Sequence, residues 1–95
     1  MSYYKSEFPS YDDTLTFPEG WVDTSWHNDA CPSFEKTFGD VKYRIFCDYK
    51  DMESRENPSW TRFGVYVEDE VNFECIAQFD QLDKALSFIN QEVAQ

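Results

Sequence analysis

Between Val41 and Tyr49 the chain alternates without a break: Val41, Tyr43, Ile45, Cys47 and Tyr49 take every second position, with Lys42, Arg44, Phe46 and Asp48 between them. Side chains of a strand point alternately to its two faces, so a period of two predicts a β-strand with one apolar face that must be covered. The neighbouring segments repeat the pattern. Phe34, Lys36 and Phe38 alternate against Glu35 and Thr37, just ahead of Gly39-Asp40, a pair suited to a tight hairpin turn. A third strand is expected at 61–68 with Phe63, Val65 and Val67 on one face. After the acidic turn Glu68-Asp69-Glu70 a fourth is expected at 71–79, with Val71, Phe73, Cys75, Ala77 and Phe79 on one face.

Beyond residue 80 the period changes. Leu82, Ala85, Leu86, Ile89 and Val93 recur at helical spacing, opposite Gln81, Lys84, Asn90 and Gln91, which predicts an amphipathic helix lying on the apolar sheet face. Asp80 is the expected N-cap, and Asp83 adds negative charge to the first turn. The fold class is therefore α+β: an antiparallel β-sheet of three to four strands in a meander, packed against one C-terminal α-helix.

Ahead of the strands, Pro9, Pro18, Pro32, Gly20 and many aromatics follow neither period, so this part reads as an irregular, aromatic-rich N-terminal segment. Residues 1–16 are expected to be mobile and 17–95 to form a single domain, with the aromatics from Phe17 onward lying across it. Residues 50–60, which include Asn57-Pro58, read as a solvated loop or a single helical turn. The second sheet face carries Phe46, Tyr66 and Ile76 among Lys42, Arg44, Arg62 and Glu74. Either the N-terminal segment covers it, or it is open to a partner or a second copy.

Charge narrows the function classes. Lys and Arg number 8 against 19 Asp and Glu, a formal net charge of −11. Such a field repels phosphates and anionic lipid, so direct nucleic-acid or membrane binding is disfavoured. No apolar run approaches the roughly 20 residues of a bilayer span. The 3 cysteines are an odd number, no N-terminal apolar stretch resembles a signal peptide, and a cytoplasmic protein is expected.

Few constellations could carry chemistry. Cys31 with His27 and Asp29 or Asn28 could form an activated thiolate, since a cysteine nucleophile needs a base and an orienting group. Clustered neighbours of this kind more often cap turns, because catalytic partners usually come from distant parts of a chain. His27, Cys31, Cys47 and Cys75 would give zinc four ligands of the right types, but no closely spaced cysteine pair is present. Cys47 and Cys75 fall on the apolar strand faces, where a thiol acts as a small hydrophobe. Asp12-Asp13 and Glu68-Asp69-Glu70 lack a calcium-loop framework, and three glycines at 20, 39 and 64 make no phosphate loop. No enzyme activity and no cofactor are expected.

The carboxylates remain. A solvated acidic surface that keeps the chain soluble is the plain reading. The sharper one is that Asp48, Asp51, Glu53, Glu56, Glu68, Asp69, Glu70 and Glu74 form one negative edge. With Phe46 and Tyr66, that edge would occupy a basic surface of another protein, as nucleic acid would.

The segments Pro18-Glu19-Gly20-Trp21-Val22-Asp23, Ser25-Trp26-His27-Asn28-Asp29 and Pro32-Ser33 resemble a group of small acidic proteins of bacteriophages and proteobacteria. The resemblance spans residues 17–90 and transfers no functional residues. It implies an accessory protein in the host cytoplasm that binds and inhibits a host protein, a class that includes anti-CRISPR and other anti-defence factors. The alternatives are a small enzyme or metal protein centred on His27, Asp29 and Cys31, and a homodimeric structural or assembly protein.

Overall fold

Gly39, at φ +62°, occupies a left-handed position that side chains resist, and there the chain reverses between β2 (Ser33–Phe38) and β3 (Val41–Cys47). Pairing Phe38 with Val41 and Phe34 with Ile45 sets the apolar residues of both strands on one side. A computed structural model describes residues 3–57 and 59–94. Residues 1, 2, 58 and 95 lie outside it, and with them the start of the expected N-terminal segment and Pro58 of the expected Asn57-Pro58 turn.

Around this hairpin are α1 (Tyr4–Glu7), β1 (Val22–Asp23), a 3-10 turn at Met52–Ser54, β4 (Phe63–Glu68), β5 (Phe73–Phe79) and α2 (Leu82–Val93). The strands form one antiparallel sheet in the order β1-β2-β3-β4-β5. The sheet therefore has five strands, not three to four. The addition is β1, whose two residues lie inside the aperiodic segment and carry too short a pattern to read.

The core occupies one side of the sheet. Ile45, Cys47, Phe63 and Val65 from the central strands meet Ala85 and Ile89 of α2. Phe88, beside the expected helical stripe, packs at a tilt of 49° against Phe79 with ring centroids 5.5 Å apart. Asp80 does not cap this helix. The N-cap is Gln81, which makes no side-chain capping bond, and its carbonyl accepts from Ala85 N–H.

Tyr4, Phe8 and Tyr11 are buried in the same core, so the domain begins ahead of the expected boundary at 16/17. Tyr4 N–H donates to Asp23 Oδ2 at 2.7 Å, and the Tyr4 hydroxyl accepts from Leu15 N–H at 2.9 Å. The Tyr11 hydroxyl is shared between the carbonyls of Cys47 and Asp48, both at 3.0 Å, and accepts from Arg62 at 3.2 Å. The first part of the N-terminal segment thus packs into the core on the helix side of the sheet. Of its later part, Asp29, Ala30 and Cys31 reach the opposite face and border Phe46 and Tyr66, while Phe73 on that face stays half exposed, so the segment covers this face only in part.

The expected face of β5 also needs correction. Val65 pairs with Ala77, but the next residue, Tyr66, pairs with Cys75, leaving Ile76 as an extra residue in a bulge. Facing partners share a side, so Ala77 and Phe79 lie on the core side while Phe73 and Cys75 lie on the other. Glu74, opposite Val67, moves to the helix side, and Cys75 is exposed instead of buried. No helix among the described residues is long and apolar enough to cross a membrane.

Candidate functional site

The sheet face turned away from α2 carries a cleft of about 410 Å³, lined by residues from both central strands, β5 and two loops. Its position follows from the register. Phe46 lies opposite Gly64, and Tyr66 sits two residues further along the same face of β4. A Cβ on Gly64 would come within 3.1 Å of the Tyr66 ring, so the missing side chain lets that ring lie close over the strand.

Three rings meet beside the cleft. Tyr66 stands edge-on to Phe46, with centroids 5.2 Å apart and planes at 79°, while Phe73 stacks on Tyr66 at 5.0 Å and 16°. Phe73 is 49% exposed, and Trp60, also on the lining, is 50% exposed. The loop from β1 to β2 brings Asp29, Ala30 and Cys31 to the lining. The loop is fixed by buried serines: Ser33 N–H donates to Ser25 Oγ at 3.1 Å, and the hydroxyls of Thr24 and Ser33 are 2.8 Å apart.

Asp48 is the most unusual member of this lining, a carboxylate-bearing residue only 6% exposed. Its Oδ1 accepts from Tyr49 N–H at 2.9 Å, the one hydrogen bond its carboxylate makes among the described residues. Burial raises its pKa above the usual aspartate value, Glu56 adds to that, and the Tyr49 N–H, Arg55 and Arg62 oppose it. Arg62 is already engaged. It donates to the Asp48 carbonyl at 3.0 Å, to Tyr11 at 3.2 Å and to Asp13 at 2.9 Å.

Of the carboxylates expected along one negative edge, the structure forms two groups. Glu68 faces Lys42 at one end of β3, whereas Asp48 follows Cys47 at the other, about 20 Å away at roughly 3.4 Å per residue. Asp51, Glu53 and Glu56 belong to the Asp48 end, and Asp69, Glu70 and Glu74 to the Glu68 end. The single-edge expectation fails because antiparallel pairing places a strand's start and its neighbour's end together.

Several of these groups are also occupied. Asp51 caps the 3-10 turn through Glu53 N–H at 3.1 Å, and Asp69 accepts from Val71 and Asn72 N–H groups at 2.9 and 2.8 Å. Glu68 Oε2 lies 3.6 Å from Arg44, an ion contact too long for a hydrogen bond, while Arg44 bonds Glu35 at 2.8 Å. Glu53, Glu56, Glu70 and Glu74 are exposed.

The alternative cluster makes its contacts elsewhere. His27 binds Glu7, with both its backbone N–H (3.0 Å) and Nδ1 (3.1 Å) at one carboxylate oxygen, and its ring lies against Trp26. Cys31 is buried; desolvation pushes its thiol far up, and Asp48 and Asp29 push it further, the opposite of nucleophile activation. Among the described residues no group of three or more His, Cys, Asp or Glu is placed to hold a metal ion.

Phe46 and Tyr66, expected at the contact surface, are therefore brought together, and Phe73, Trp60 and Asp29 join them unforeseen. The signal for Phe73 was present. Ile76, the largest aliphatic side chain of its strand, fell on the supposedly polar face, which marks a change of parity. Comparisons of the chain with protein-family models, curated proteins and solved structures find no match.

Proposed function

We propose that the protein is an acidic protein-binding module whose contact surface is the sheet face opposite the helix, and that it acts as an inhibitor by occupying a basic surface of another protein. The observation that carries this reading is the ring cluster at the cleft, in which half-exposed Phe73 and Trp60 accompany the partly buried Phe46 and Tyr66. Half-exposed aromatics gathered at one cleft are the residues on which interfaces concentrate their binding energy.

The net charge of −11 selects the partner's sign. Acidic groups at both ends of the sheet speed encounter with a cationic surface and oppose anionic ones, while the rings supply the contact that holds. A nucleic-acid-binding protein presents such a surface, and covering it would block its ligand.

The test compares wild-type protein with Tyr66→Glu and Phe73→Glu in retaining a partner from host extract at low and high salt, alongside sedimentation of the pure protein. Expected is a monomer that retains a basic protein, releases it as salt rises, and loses it in both variants. Retention indifferent to salt and to both substitutions would sink the reading. A dimer that dissociates on Tyr66→Glu would assign the face to a second copy instead.

A further inference from the structure

We propose that the cleft is an arginine pocket: it takes the guanidinium group of a partner's side chain, pairs it with the Asp48 carboxylate, and holds its flat faces against the ring cluster. This rests on the protein-binding reading above and names the chemical group that the same site selects.

Asp48 carries the argument. It is 6% exposed and lines the cleft, yet no salt bridge reaches it among the described residues. Neighbouring cations do not fill that role. Arg62 is held by Asp13, Tyr11 and a main-chain carbonyl, and Arg55 donates to the carbonyls of Tyr49, Trp60 and Lys50. Asp48 is largely withdrawn from water, and its second carboxylate oxygen, which makes no hydrogen bond among the described residues but is not sealed from solvent, is the one with which an incoming cation would pair. Asp29 on the lining adds a second negative charge beside the same space, against the positive charge of Arg62, which Asp13 pairs.

The walls decide which cation fits. Phe46, Tyr66, Phe73 and Trp60 make a third of the lining aromatic, and Arg44 lying over the Phe73 ring at 5.9 Å shows a guanidinium accepted by this cluster. A guanidinium is planar, weakly hydrated and stacks on rings, whereas an ammonium keeps its water and loses more on entering such a site. The volume of about 410 Å³ is in the range of ligand clefts and accommodates a long side chain with part of the backbone that bears it.

The probe is Nα-acetyl-arginine methylamide, titrated into the full chain and followed by amide chemical shifts, with the lysine and citrulline analogues as controls. Saturable shifts are expected at Ala30, Asp48, Gly64, Tyr66 and Phe73, weaker for lysine and absent for citrulline, which has arginine's shape without its charge. Asp48→Asn should keep the folded spectrum and weaken arginine binding by at least about tenfold. Equal binding of citrulline, insensitivity to Asp48→Asn, or shifts spread over the acidic ends of the sheet would overturn the pocket. If arginine fails while Phe73→Glu still abolishes partner retention, the pocket falls and the protein-binding reading stands.

Discussion

Tyr66 and Phe73 lie face to face, centroids 5.0 Å apart and 16° from parallel, because one extra residue in β5 turns Phe73 to the side that straight alternation denies it. The stack is built by a bulge, and bulges commonly re-aim side chains toward a binding surface.

Phe73→Ala should therefore separate stability from binding. Phe73 is 49% exposed, so its removal is expected to cost about 1 kcal/mol, the scale of an aromatic pair, while partner retention is lost. Phe63, at 2% exposure on the core side, should cost about 3–5 kcal/mol on the same substitution. Urea unfolding of the two variants checks the contrast, and similar losses would contradict this division of the faces.

Asp48→Asn is expected to leave the protein at least as stable as wild type near neutral pH. The folded-state pKa of Asp48 is raised, so the folded chain holds this proton more tightly than the unfolded chain does. Wild-type stability then rises as pH falls from above that raised value toward the ordinary 3.8, a gain the asparagine variant cannot show. Unfolding curves at several pH values should show the two proteins converging at the acid end of this window. A variant that is less stable at neutral pH would mean that the charge is compensated in the folded state.

Asp13 should behave in the opposite sense. The Thr14 N–H and the bond from Arg62 hold its carboxyl below the usual range, so its contribution is present above about pH 4 and lost as pH falls through the folded value. Asp13→Asn should lower stability at neutral pH and flatten the acid limb of the curve. Parallel pH profiles for the two proteins would rule this out.

Tyr11→Phe deletes the hydroxyl between two carbonyls and a guanidinium. Leaving such buried groups short of a partner costs about 1–3 kcal/mol, measurable as a shift in the denaturant midpoint at unchanged slope. An unchanged midpoint would show that water replaces the hydroxyl.

The three thiols should differ in reactivity. Cys75 is exposed, whereas Cys31 and Cys47 are buried and desolvation pushes both well above an ordinary thiol. A disulfide reagent should modify Cys75 alone in the folded protein and the other two only on unfolding. Rapid modification of Cys31 would revive the thiolate alternative.

What the sequence disclosed depended on regularity. Within 34–38, 41–47 and 63–67 the period of two holds, and register follows wherever one face is apolar, so β2, β3 and β4 were legible with their faces. The stripe of α2 was equally plain, although Val93 at its end remains exposed. Past Ala77 toward the chain's start, the bulge inverts the parity of β5, and counting alternate residues then assigns Phe73, Glu74 and Cys75 to the wrong sides. Tyr4, Phe8 and Tyr11 stand at i, i+4 and i+7, but α1 ends at Glu7 and Pro9 follows, so the spacing is too brief to read as a helix and their burial depends on distant partners such as Phe34 and Cys47. For Asp48, composition suggested a surface carboxylate. Its burial arises from the loops that close over the end of β3, which no local pattern encodes.

The bonds of Tyr11 also set an order of events. Its partners stand 36, 37 and 51 positions later in the chain. During synthesis the opening aromatics leave the ribosome well before Arg62 does, so they must wait for the site that receives them. Anything that captures those first residues in the interval competes with completion of the core, and a chain shortened at its front would lack three of the rings that seal it.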